Sequence, residues 1–173
     1  MQAPTLSKCA RLTFALMTLL LLGLPVPARP DDTSFWRATL KGITAFHVVV
    51  EVLTPEAERD GLTRDQLQTD VELRLRKAGI NVTSSYANTR ESFLYLNVNT
   101  YKEPVGLYAF NISLEFHQGV ILTRNRNVSL PASTWYVGTV GIVSAERLRE
   151  VRDTVADKVD QFINAYLEQN PKP

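Results

Sequence analysis

The stretch from Phe93 to His117 constrains the fold more than any other part of the chain. Two arms, 93–101 and 107–117, alternate apolar and polar residues around a turn at Lys102-Glu103-Pro104-Val105-Gly106. Successive side chains of a strand point to opposite faces, so a period of two marks strands with one covered face. Leu94, Leu96 and Val98 share one face with Phe110, Ile112, Leu114 and Phe116 of the second arm. That face needs a cover. The other face collects Phe93, Tyr95, Asn97, Asn99 and Tyr101 with Ala109, Asn111, Ser113, Glu115 and His117, a mixture that suits water or a partner.

Two helices supply the cover. Thr63 stands three residues before Gln66, the spacing of a capping box, with Leu62 and Leu67 at the staple positions. Leu67, Val71, Leu75 and Ala78 then recur at helical spacing until Gly79, which predicts a helix from about Arg64 to Ala78 closed by a left-handed glycine. A second helix is expected after Ser144 as its cap, ending near Asn170 before Pro171. Its apolar stripe is Leu148, Val151, Val155, Val159, Phe162, Ile163 and Tyr166.

The remaining strands follow from β-branched runs and turn residues. Ile43–Leu53 reads as a strand with Phe46, Val48, Val50 and Val52 on one face and Ala45, His47, Val49 and Glu51 on the other. Ile80–Thr83 reads as a short strand, so strand, helix and strand suggest a right-handed parallel crossover. A polar loop, Ser84–Ser92, leads into the hairpin. The second hairpin arm continues to Leu122 with a bulge or kink at Gly119, Arg124–Asn127 is a turn, and Ser133–Val143 is a last antiparallel strand softened by Gly138 and Gly141. The expected architecture is a two-layer α+β domain over residues 43–170, in the order β-α-β-β-β-β-α. Its sheet is mixed but mostly antiparallel, with both helices on one face, and 171–173 form a tail.

Residues 1–28 have the pattern of a secretory signal peptide. Lys8 and Arg11 precede an apolar run, Phe14 to Leu24, and Val26 and Ala28 are small residues before the expected cleavage point. The run is short of the ~20 residues a membrane span needs, so cleavage after Ala28 is favoured over a retained anchor. Residues 29–42 form a leader whose Trp36 is expected to pack on the domain edge. Cys9, the one cysteine, precedes the apolar run and leaves with the signal, which excludes disulfides, zinc–thiolate sites and a cysteine nucleophile from the exported chain. Of 19 basic and 18 acidic residues, Lys8 and Arg11 leave too, so 17 face 18 and no single-sign field is available for nucleic acid or an anionic membrane.

Catalytic patterns are sparse. No glycine-rich loop opens either helix, no Gly-x-Ser-x-Gly occurs, the acids of 60–70 do not follow calcium-loop spacing, and the two histidines are not a helical pair. If their strands are neighbours, His47, Glu51, Glu115 and His117 share the open face, as a small hydrolase or metal-dependent enzyme would require. Simple alternation of polar residues on a solvated face explains the same four residues and is the preferred reading. No catalytic residue, metal or cofactor is therefore expected. Phe93, Tyr95 and Tyr101 resemble in type the stacking platforms of nucleic-acid binders but lack flanking positive charge. Rings packed on the leader or a loop are the preferred account of these aromatics; as a functional reading the same face fits a protein partner, with Tyr95, Asn97, Asn99, Tyr101, Asn111 and His117 as candidate contacts.

The order of elements over Ile43–Asn170, after a signal peptide, resembles the small periplasmic domain at the amino end of TolB and the domains of outer-membrane activators of penicillin-binding proteins. The segment Leu67-Gln68-Thr69-Asp70-Val71-Glu72-Leu73-Arg74-Leu75-Arg76-Lys77-Ala78-Gly79-Ile80 is also similar to a bacterial family of exported domains. The first resemblance implies protein–protein contact in the envelope without catalysis; the signal-peptide pattern gives the expected periplasmic or secreted location, with no stable membrane span after cleavage.

Overall fold

The computed structural model describes residues 34–83 and 92–171. The signal-peptide segment, the first leader residues, nearly all of the Ser84–Ser92 loop and the last two residues lie outside that range. The described residues belong to one compact unit, Asp31–Pro173.

Four strands form one sheet in chain order: β1 (His47–Val50), β2 (Phe93–Lys102), β3 (Leu107–Leu122) and β4 (Asn125–Ser144). β1 runs parallel to β2, and the other two pairings are antiparallel. The helices are α1 (Ser34–Ala38), α2 (Pro55–Arg59), α3 (Arg64–Lys77) and α4 (Val151–Gln169), the last preceded by a 3-10 segment, Ala145–Glu150. This is the mixed, mostly antiparallel α+β arrangement with α3 and α4 over one face of the sheet.

The central hairpin has the register that its alternation requires: Leu96 opposes Leu114, Val98 opposes Ile112, and Tyr101 opposes Ala109. Leu94, Leu96, Ile112, Leu114 and Phe116 are fully buried beneath the helices. Phe162 of α4 stands at the centre of that layer, with ring centroids 5.6 Å from Phe46, 5.7 Å from Phe116 and 5.2 Å from Trp135. Rings therefore fill the layer between the sheet and α4 around Phe162. Tyr108, which the alternation left unassigned, is also buried here, and its hydroxyl donates to Asp60 at 2.7 Å. Lys102 approaches the same carboxylate at 2.6 Å, so both hydrogen bonds hold Asp60 below its ordinary pKa.

Several elements differ from expectation for local reasons. β1 ends at Val50, and Val52 is 76 % exposed rather than on the covered face. The chain turns out there because Thr54 caps α2 by accepting from the Ala57 amide, with Pro55 at the first helical position. The Ile80–Thr83 strand reduces to one parallel bridge, Val82 to Phe46. Thr63 does cap α3, accepting from the Gln66 amide, and Gly79 takes φ 79° just past its end. The turn after β3 is at Thr123 and Arg124, one residue pair earlier than expected, so β4 begins at Asn125. The bulge lies not at Gly119 but at Thr134, where the β3–β4 register shifts between Phe116 and His117. Ser144 makes no side-chain cap, because 3-10 turns intervene before α4.

The described part of the leader is tied down. Asn170 donates to the Leu40 carbonyl at 2.9 Å and accepts from the Gly42 amide at 2.8 Å, while the Tyr166 hydroxyl donates to the Ile43 carbonyl at 2.5 Å. Leu40 is consequently buried, and Trp36 lies beside Thr134–Tyr136 with 45 % of its surface exposed.

Candidate functional site

The open face of the sheet divides into two ends. At one end the rings of His47, Phe93 and His117 stack across β1, β2 and β3, with centroids 5.5 and 4.8 Å apart, and Tyr95 meets His117 edge-on at 5.8 Å. Glu115 and His117, two residues apart on β3, are joined at 3.0 Å. His47 is buried, and desolvation lowers its pKa. Asn97 is half-buried, and its Oδ1 is shielded from solvent with no hydrogen-bond partner among the described residues.

This geometry separates the four residues of the enzymatic alternative. Phe93 stands between His47 and His117, which puts the imidazoles two strands, or ~10 Å, apart. Glu51 lies four residues beyond His47, ~13 Å along the chain direction. Only Glu115 and His117 come together. No cluster of three metal-ligating side chains exists among the described residues.

The other end is bare. Tyr101 (64 % exposed), Val140 and Ile142 (both 74 %) surround Ala109, in adjacent positions of β2, β3 and β4. Asn99 and Asn111 oppose each other at the border of this patch, and both are exposed. No described element covers it. Of the six expected contact residues, Asn99, Tyr101 and Asn111 thus belong to the bare end, while Tyr95, Asn97 and His117 lie half-buried in the packed end.

β4 completes the patch, and sequence reasoning missed its part. From Trp135 to Val143 both alternating sets are apolar except at Thr139, which reads as a strand covered on both sides. Its glycines fit rings: a Cβ at Gly141 would strike Phe110 on the helix side, and one at Gly138 would strike Tyr136 on the open side.

The two sheet edges also differ. Along β1, the Val48 carbonyl accepts from Gln68 at 3.1 Å and the Val50 carbonyl from Arg64 at 2.8 Å, one helical turn apart on α3. Phe46 is occupied by Asn81 and Thr83. β4 has no strand on its outer side among the described residues.

A cleft of about 420 Å³ between α3 and α4 is lined by Asp70, Arg74, Lys77, Arg149, Arg152 and Asp153; Arg152 pairs with Asp70 at 2.7 Å, and Arg74 with Asp160 beside the cleft at 2.9 Å. No described helix is long and apolar enough to cross a membrane.

No protein-family model matches the chain, and no curated protein matches it. Among solved structures, a minor lipoprotein from Acinetobacter baumannii is similar over 70% of this chain and 90% of that one, with 11% identity and a TM-score of 0.33.

Proposed function

We propose that the chain is an exported, non-catalytic interaction module of the bacterial cell envelope that binds a protein partner through the bare end of its open sheet face. One observation carries this reading: Tyr101, Val140 and Ile142 form a contiguous exposed apolar surface around Ala109 that no described element covers. Contiguous apolar patches of that kind mark interaction surfaces, whereas singly scattered apolar residues do not. Asn99 and Asn111 supply polar contacts at its margin. The periplasmic or secreted location rests on the signal-peptide pattern of residues 1–28.

The sheet edge is a second mode of contact, and the asymmetry of the edges supports β4 as the edge that would serve it. The carbonyls of Val48 and Val50 on β1 are occupied by α3, while β4, apart from the Thr134 carbonyl bound by Thr39, has no strand on its outer side among the described residues and could take one by β-augmentation.

The test is a triple substitution, Tyr101→Ser, Val140→Ser and Ile142→Ser, compared with the parent chain for recovery of a partner after crosslinking in the native envelope. Loss of a specific adduct with an unchanged melting temperature supports the open face. An adduct that survives the substitutions refutes that assignment and leaves the β4 edge to be tested.

A further inference from the structure

The near-neutral total charge conceals a local imbalance in the arm formed by the ends of β3 and β4. Between Glu115 and Glu146 the sequence contains no Asp or Glu, and its only basic side chains other than His117 are Arg124 and Arg126. Both arginines sit at the turn of the arm, and neither has an ion-pair partner among the described residues. From Gly119 to Pro131 no residue is buried, so this two-stranded ribbon extends beyond the part of the sheet that the helices cover.

The base of the ribbon is fastened. Gln118 donates to the Thr39 carbonyl at 3.1 Å and to the Thr134 hydroxyl at 2.6 Å, and Thr39 donates to the Thr134 carbonyl at 3.1 Å. At the tip, the Asn125 side chain accepts from the Asn127 amide at 3.2 Å, and the register slips between Ile121 and Leu122. The slip places Arg126, Asn127 and Val128 outside the ladder. Ile121 (62 % exposed), opposite Ser129, lies on one face of the ribbon and Leu130 (40 %), opposite Val120, on the other, so exposed aliphatic side chains flank the arginine-bearing tip on both faces, with Val128 (40 %) between Leu130 and the tip in sequence. A bare two-stranded ribbon gains little from its own contacts, so apolar residues there do little for folding.

We propose that this ribbon docks the protein on an anionic phospholipid surface. The ribbon enters tip first: Arg124 and Arg126 meet the headgroup phosphates, and Ile121 on one face and Leu130 on the other, with Val128, enter the headgroup layer around the tip. Basic side chains set among exposed aliphatic ones match an interface that is anionic outside and apolar beneath. An acidic protein surface would satisfy the arginines but would not require the aliphatic residues. Docking at the ribbon leaves the bare end of the open face on a separate surface, so the two activities are separable.

The experiment is vesicle co-sedimentation of the chain from Arg29 onward, which contains the whole compact unit Asp31–Pro173. Vesicles are pure phosphatidylcholine or phosphatidylcholine mixed with phosphatidylglycerol. Binding is expected to the anionic vesicles, to fall steeply at about 0.5 M salt, and to drop roughly tenfold or more in R124E/R126E. R124Q/R126Q is expected to lie between that variant and the parent, and I121S/L130S is expected to weaken binding without changing its salt dependence. Y101S/I142S is expected to sediment like the parent, so failure of the open-face reading leaves this one intact. No sedimentation with anionic vesicles, equal binding to both vesicle types, or unchanged binding of a folded R124E/R126E would overturn the proposal.

Discussion

On the helix side of the sheet, Phe116 of β3 and Trp135 of β4 meet Phe162 and are almost wholly buried; on the other side, Val140 and Ile142 of the same β4 stand about three-quarters exposed. The two surfaces share one backbone and comparable side chains, and only the cover differs. Apolar character in a strand therefore marks either a core or a docking surface, and the distinction lies in what the helices reach. α3 and α4 reach one face, and neither crosses to the other.

The largest expected effect is on the covered face. Phe162→Ala removes the ring at the centre of the aromatic layer and should cost about 3–5 kcal/mol in chemical denaturation. On the open face, Y101S/V140S/I142S should change stability by about 0.5 kcal/mol or less per site. Equal losses on the two faces would break the comparison.

The glycines of β4 sharpen it further. Gly141→Ala must displace the Phe110 ring, which packs against the core, and should cost about 1–3 kcal/mol. Gly138→Ala meets the half-exposed Tyr136 ring, which has room to move, and the Ile112 carbonyl at 3.0 Å, which has little; with no core ring displaced it should cost less than Gly141→Ala. Urea midpoints of the two variants decide the order.

A smaller effect separates the packed end of the open face from its bare end. Burial holds the His47 pKa below its ordinary 6.5, so the folded state resists a proton that the unfolded chain accepts. Stability is then complete above about pH 6.5 and declines as the pH falls below it. His47→Gln should flatten that decline in melting temperatures taken between pH 8 and 5. A variant as acid-sensitive as the parent through this range would remove His47 as its cause.

Much of this was legible in the sequence. The alternation of 93–117 marked the hairpin and both of its faces, and the stripes from Leu67 and Leu148 marked the cover of the apolar one. The sequence was less informative where local rules compete. Val52 continues the β-branched run of β1, yet the Thr54–Pro55 helix start pulls it out of the sheet. Ile80–Thr83 has strand composition but finds only Phe46 to pair with. On the open face, residue type singled out Tyr101, Asn99 and Asn111, which the structure leaves exposed, but did not show that Phe93 would stack between the two histidines and close the other end. Val140 and Ile142 were hidden because an exposed apolar strand and a buried one share the same composition.

The most direct test of the open face as a docking surface is photocrosslinking in the native envelope with a photoreactive side chain at Tyr101, compared with one at Leu73, an exposed apolar residue on α3. A discrete protein adduct from position 101 and none from 73 is the predicted result. Equal adducts from both positions, or none from position 101, would contradict it.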